Sequence, residues 1–270
     1  MGGQILGDRY EVERQLGKKS GRWTLQARDL QTDELVILKV LFLDDSLTPI
    51  DLRLFKREVD ALKLLNHQAT PRYLGYFEME MPTQEQAMVL VQSYVEGISL
   101  QSYLSEARIF SESEVVKIAR AVLSILHHLH TFEPPIIHRD IRPSNLLLQP
   151  GLPVEIAQIC LVDFGTVKAL NASNTAITMV GTDGYAPPEQ SAGRVLAVSD
   201  LYSLGATLAE TLTGKPPLEM RTKGVRIRFE EFVEVTPTFT LWLKKLLAPS
   251  LDHRWDSAQA ALASLDTVNE

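Results

Sequence analysis

Nine residues, Ile137-His138-Arg139-Asp140-Ile141-Arg142-Pro143-Ser144-Asn145, gather one carboxylate, one amide and three basic side chains into a single short stretch. Pro143 lacks a backbone N–H, and Pro134 and Pro135 sit just upstream, so a helix does not run through the segment. It reads as a constrained loop between a long helix and a short strand, and polar groups on a loop held by a rigid scaffold are where chemistry usually sits. Downstream, Asp163 adds a second carboxylate in Asp163-Phe164-Gly165. With Asn145 it offers the hard oxygen donors that Mg²⁺ prefers. Upstream, Lys39 ends the extended run Val36-Ile37-Leu38-Lys39, and Glu58 lies on the helix that follows, so the two can pair. A surface Lys, a surface Glu or an Asp in a Pro-rich loop, where Asp forms turns, would each mean little alone. The signal is the order and spacing, with Asp140 five residues before Asn145 and 23 before Asp163.

The elements that must hold these residues fall into two groups. Runs rich in β-formers at Tyr10–Leu16, Trp23–Arg28 and Leu35–Phe42 alternate with turns, the first bracketed by Gly17 and Gly21 and the second made by Gln31-Thr32-Asp33. Thr48 as N-cap, Pro49 at the first helical position and Asp51 three after the cap start a helix that buries Phe55, Val59 and Leu62, with Glu58 beside that face. Two more extended runs, Tyr73–Met79 and Met88–Tyr94, complete an expected small lobe of five strands and one helix spanning about 8–93. After a linker near Ser93–Gly97, long helical patterns dominate to about residue 267. One starts at Ser111 with Glu114 in capping-box position and carries the stripe Val115, Ile118, Val122, Ile125, Leu126 and Leu129. Leu146–Leu148 and Ile159–Val162 read as two short strands. Between Gly165 and Gly184 the sequence is small, polar and aperiodic, as suits a mobile loop. Ser199 is expected to cap a very apolar helix stopped by Gly214, and further helices are expected at Thr238–Leu247 and Asp256–Leu265.

Bulk properties narrow the function classes. The chain has 270 residues, 45% of them hydrophobic, with a formal charge of −7, which argues against a general binder of nucleic acid. One cysteine, Cys160, excludes an intramolecular disulfide and a multi-cysteine zinc site, and it reads as a buried strand residue. No stretch approaches the roughly 18 apolar residues of a membrane span, and a cytoplasmic location is expected. Met1-Gly2-Gly3-Gln4 looks like an acylation signal, but Leu6 stands where Ser or Thr is required, so a plain start is expected. His127, His128 and His130 share one helix and cannot all face one point, so zinc is not expected there.

Taken in order, Lys39, Glu58, His138-Arg139-Asp140 with Asn145, Asp163-Phe164-Gly165 and Pro187-Pro188-Glu189 resemble the motif set of eukaryotic-type protein kinases, in their bacterial serine/threonine form, over about Tyr10 to Leu265. The resemblance implies an α+β, bilobal fold, ATP and protein substrates as partners, and Mg²⁺, or Mn²⁺ in its place, as the metal. It implies that Leu16, Gly17, Lys18 and Gly21 cover the nucleotide, that Gln92, Ser93 and Tyr94 line its base, and that Lys39, directed by Glu58, takes the α- and β-phosphates. Asp140 would orient the acceptor hydroxyl, Arg142 face the transferred phosphate, and Asn145 and Asp163 hold the metal. His138, Phe164, Gly165, Glu189, Asp200 and Arg254 take structural roles, with Glu189 paired to Arg254 and Asp200 anchoring the loop. Thr182 favours Ser or Thr over Tyr as acceptor. Arg139 before Asp140 implies activation-loop phosphorylation, on Thr175 or Thr178.

The pattern departs from the family's in Leu16-Gly17-Lys18-Lys19-Ser20-Gly21, which lacks the middle glycine and is one residue short, and in Arg142, where Lys is usual. Lys18 and Lys19 either lend side-chain charge to the phosphates or lie in water on a hairpin tip. The altered loop keeps open a pseudokinase that binds nucleotide with little transfer. A small-molecule phosphotransferase is the third reading, and the segment through Glu189 speaks against it.

Overall fold

The computed structural model describes the chain except residues 1, 20, 46, 82–84, 150, 155–156, 166–167, 170–183, 222–225 and 267–270. It divides into two units, Met1–Val95 and Glu96–Glu270.

In the first unit, β1 (Ile5–Leu6), β2 (Tyr10–Lys19), β3 (Arg22–Asp29), β4 (Leu35–Phe42), β5 (Tyr73–Glu80) and β6 (Gln86–Ser93) form one antiparallel sheet in the order β1-β2-β3-β4-β6-β5. Strand periodicity sends Val36, Leu38, Val40 and Phe42 to one core with Leu25, Ala27, Val89 and Val91. Lys39 therefore belongs to the opposite face. The helix α1 (Pro49–Leu64) starts as expected, with the Asp51 N–H donating to Thr48 Oγ1 at 3.1 Å and the Thr48 N–H to Asp51 Oδ2 at 3.3 Å. Such a cap contributes about 1 kcal/mol. Its buried face holds Leu54, Phe55, Val59, Leu62 and Glu58 itself, which is more deeply placed than a residue beside the stripe.

Two features of this unit correct the sequence reading. The sheet has six strands, because β1, only two residues long, pairs with Tyr10 and Glu11. The β2–β3 hairpin is also tighter than expected: the ladder continues through Gly17↔Thr24 and Lys18↔Trp23 to Lys19↔Arg22, so Gly17 lies within a strand and does not bracket the turn. Gly21, at φ +67°, takes the left-handed turn position that glycine tolerates.

The second unit begins with β7 (Ile98–Ser99) and a six-residue helix α2 (Leu100–Ser105), which has too few turns for a periodic signal and was not expected. The helix α3 (Glu112–His130) has the Ser111/Glu114 capping box and buries the whole anticipated stripe. Then come β8 (Ile136–Ile137), the loop with a single 3₁₀ turn at Pro143–Asn145, β9 (Leu146–Leu148), β10 (Ile159–Leu161) and β11 (Lys168–Ala169). The order β10-β9-β7 makes a three-stranded sheet, in which Cys160 opposes Leu147, and β8 pairs with β11. Cys160 is buried, and burial pushes its thiol pKa up. A Cβ on Gly97 would stand 2.7 Å from Leu147 Cβ, so only glycine fits where the chain enters this sheet.

The remaining helices are α4 (Pro188–Ser191), α5 (Ala197–Thr213), α6 (Pro237–Leu246) and α7 (Ala258–Asp266). Every residue of α5 from Ser199 to Leu212 is buried, which makes it the central helix of this unit. It starts earlier than the sequence suggested. Leu196 is the N-cap and Ser199 the third helical residue, its hydroxyl accepting from the Leu196 N–H at 3.1 Å and donating to Glu189 Oε1 at 2.9 Å. Gly214 ends the helix at φ +67°. Among the described residues no helix is long and apolar enough to cross a membrane.

Candidate active site

In the first unit the strand–helix arrangement brings the Lys39 ammonium onto Glu58 Oε1, with side-chain exposures of 13% and 4%. A cation on an interior strand, paired on both sides, is thereby aimed by a buried carboxylate. Removing either partner would leave a charge in a poorly hydrated site. Gln92, on β6, is buried and opposite Ile37 of β4, while Ser93 pairs with Val36 and its Oγ accepts from the Arg72 N–H at 2.9 Å. The Tyr94 N–H donates to the Leu35 carbonyl at 3.4 Å. Leu16 and Lys18 are exposed on β2, and the Lys18 ammonium lies 5.5 Å from the Trp23 ring centroid.

In the second unit the loop hangs from α5. Asp200, fully buried, accepts from the His138 N–H at 2.9 Å and the Arg139 N–H at 2.8 Å, and His130 Nε2 lies 3.1 Å from its Oδ2. One carboxylate thus holds two successive loop amides. The third contact, from His130 at the end of α3, was missed, because the sequence reading considered that histidine only for zinc. His138 is enclosed, and burial holds its pKa below the usual imidazole range. The neutral ring places its Nδ1 3.4 Å from the Asp140 N–H and its Nε2 3.3 Å from the Val162 carbonyl, and it meets Phe164 edge-on at 4.9 Å. Its accepting Nδ1 implies that Nε2 carries the proton.

Beyond Arg139, which sits at φ +72°, the chain presents Asp140. Asn145 Nδ2 donates to the Asp140 carbonyl at 2.8 Å and to its Oδ2 at 3.2 Å. Arg142 Nε lies 3.2 Å from the same Oδ2, within ion-pair range though not aligned as a hydrogen bond. The Val162 N–H donates to the Asn145 carbonyl at 2.9 Å, which brings Asp163 to within one residue of Asn145 across the strand pair. Asp163 holds φ +66°, a strained conformation for a non-glycine residue and one that clusters at functional sites. With its amide NH₂ engaged by Asp140, Asn145 keeps Oδ1 as an oxygen donor. Together with the Asp163 carboxylate, this donor set fits a hard divalent cation that completes its shell with phosphate oxygens.

The segment at Gly184–Glu189 is tied down at several points. The Tyr185 hydroxyl donates to Glu210 Oε2 on α5, and burial raises the pKa of both groups. Arg221 donates to the Gly184 carbonyl at 3.1 Å. Arg254, with no exposed side-chain surface, pairs with Glu189 at 2.6 Å and also donates to the carbonyls of Ala248 at 3.0 Å and Val198 at 3.0 Å. Gln190 Nε2 donates to the Arg139 carbonyl at 3.1 Å. Tyr185, Gln190 and Glu210 were not singled out from the sequence, since their partners lie 25 to 51 positions away. Thr175, Thr178 and Thr182 lie outside the described residues.

Residues 10–263 match the family model described as "Protein kinase domain". The chain is 33% identical to serine/threonine-protein kinase B of Synechocystis sp., over 97% of this chain and 47% of that protein. It is 32% identical to serine/threonine-protein kinase PknA of Nostoc sp., over 97% of this chain and 48% of the relative. With serine/threonine-protein kinase PknB of Mycolicibacterium smegmatis it shares 30% identity over 99% of this chain and 44% of the relative. The chain thus spans about half the length of these curated relatives. An antiparallel sheet with the helix α1, a mainly helical second unit and the family model spanning both lead to one conclusion: this chain belongs to the protein kinase domain family.

Proposed function

We propose that the chain transfers the γ-phosphate of ATP to Ser or Thr hydroxyls of protein substrates and phosphorylates its own activation loop. The observation that carries this reading is Asp140, whose carboxylate is approached by Asn145 Nδ2 at 3.2 Å and Arg142 Nε at 3.2 Å on a loop suspended from Asp200. Phosphoryl transfer asks little covalent help of a protein, so what matters is that acceptor, phosphate and counter-charge are held in line. In this reading Asp140 accepts a hydrogen bond from the incoming hydroxyl and orients its oxygen, and takes its proton as transfer proceeds. Arg142 lends positive charge to the phosphate being moved, and its fixed fork suits phosphate oxygens as well as the usual Lys does. Lys39, held by Glu58, neutralises the α- and β-phosphates. Asn145 and Asp163 would hold Mg²⁺, or Mn²⁺ in its place, which supplies charge neutralisation at the phosphate oxygens. Thr175 or Thr178 would carry the loop phosphate, with Arg139 as its partner.

The β2–β3 hairpin favours a second reading, a nucleotide binder with little transfer, because its ladder closes at Lys19↔Arg22 without a middle glycine for close backbone approach. Radiolabelled γ-phosphate transfer to the chain itself or to a generic protein acceptor separates the two. Asp140→Ala and Asp163→Ala should each lose transfer by about 10²-fold or more. Equal labelling in wild type and both variants would sink the enzyme reading, and nucleotide binding without transfer in the wild type would support the second.

A further inference from the structure

The Arg139 peptide is gripped from both sides. Its N–H donates to Asp200 Oδ1 at 2.8 Å, and its carbonyl accepts from Gln190 Nε2 at 3.1 Å. Between those two bonds the residue holds φ +72°, which costs a non-glycine residue conformational energy and persists only where surroundings over-determine it. The next residue is Asp140. Gln190 is buried, and it follows Glu189, whose carboxylate is held by Arg254 at 2.6 Å and by the Ser199 hydroxyl at 2.9 Å. The short helix α4 is thereby fixed to the interior, and Gln190 is the side chain that carries this fixity to the loop.

We propose that Gln190 is a positioning residue for Asp140. With Asp200 it clamps the Arg139 peptide in its left-handed conformation, coupling α4 to the direction of the Asp140 carboxylate. Asp200 alone holds only N–H groups, so rotation of the Arg139–Asp140 peptide plane is opposed on the carbonyl side by Gln190. This inference rests on the kinase reading for its consequence in turnover, but the clamp can be read without turnover.

The test uses the full chain with two variants. Gln190→Met keeps the side-chain length and removes the donor. Gln190→Glu restores a donor only when protonated, and a carboxyl buried at this position has a raised pKa. In Gln190→Met, kcat should fall about tenfold or more with KM for ATP unchanged and the thermal transition retained. In Gln190→Glu, kcat should recover as pH falls, a trend absent from wild type and Gln190→Met. Hydrogen exchange at the Arg139 and Asp140 amides should quicken in Gln190→Met while exchange in α5 stays as in wild type. Unchanged exchange at these amides would overturn the clamp. Quickened exchange with unchanged kcat, or a Gln190→Glu variant that shows no recovery at low pH, would overturn the positioning role. If the wild type transfers no phosphate, the proposed activity fails, and the exchange measurement alone still decides whether Gln190 holds the loop.

Discussion

Arg254 shows how much a single side chain can hold together when its charge is wholly enclosed. Its guanidinium meets both oxygens of Glu189, at 2.6 and 3.2 Å, and donates to backbone carbonyls on two further stretches of chain. A lysine keeps the charge but cannot reproduce the planar fork, so several acceptors would lose their donor. Arg254→Ala, which removes the charge as well as the fork and leaves Glu189 buried and unpaired, is expected to cost about 3–5 kcal/mol, the range for breaking a buried pair. That corresponds to a fall of roughly 10 °C in the melting of a unit this size, followed by circular dichroism. The pair was legible in the sequence because family order supplied both partners. Gln190 and His130 were not, since nothing local distinguishes a glutamine in a short helix, or the last of three histidines, from a solvated side chain. Only the fold brings Arg139 and Asp200 to them.

Among the secondary elements, α5 does most to define the second unit, and its crossing with α6 depends on Gly205. A Cβ there would stand 3.0 Å from Leu246 Cβ and 3.1 Å from Leu247. Replacing a helical glycine gains up to about 1 kcal/mol in propensity, whereas forcing carbon into a packed contact costs about 1–3 kcal/mol. With a branched residue the second effect wins, so Gly205→Val should lower the urea midpoint of unfolding. Helix starts were readable at Thr48 and Ser111, because a capping box is local chemistry written within four residues. Ser199 misled for the same reason. A serine at the third helical position with its hydroxyl turned back looks like a cap until Leu196 is seen to occupy that place. Elements without periodicity were beyond reach, among them the two-residue β1 and the six-residue α2.

Across the whole molecule, the two units carry separate cores, and their responses to acid can be followed apart. In the first unit Arg9 donates to both oxygens of Asp29, at 2.7 and 2.6 Å, and holds that carboxyl near a pKa of about 2 against an ordinary 3.8. A carboxyl so depressed contributes stability that is full above about pH 4 and is lost as pH falls through about 2. Asp29→Asn should therefore flatten the dependence of stability on pH in that window. Trp23, packed edge-on against Phe42 at 4.5 Å, is a fluorescent reporter inside the same unit. The second unit offers a reporter of another kind. Cys160 is the chain's one thiol, enclosed in the strand pair between Asn145 and Asp163. Because that thiol is buried, a thiol reagent reacts there only when the packing around β10 opens, so its labelling rate is a clock for local opening in the stretch between both oxygen donors.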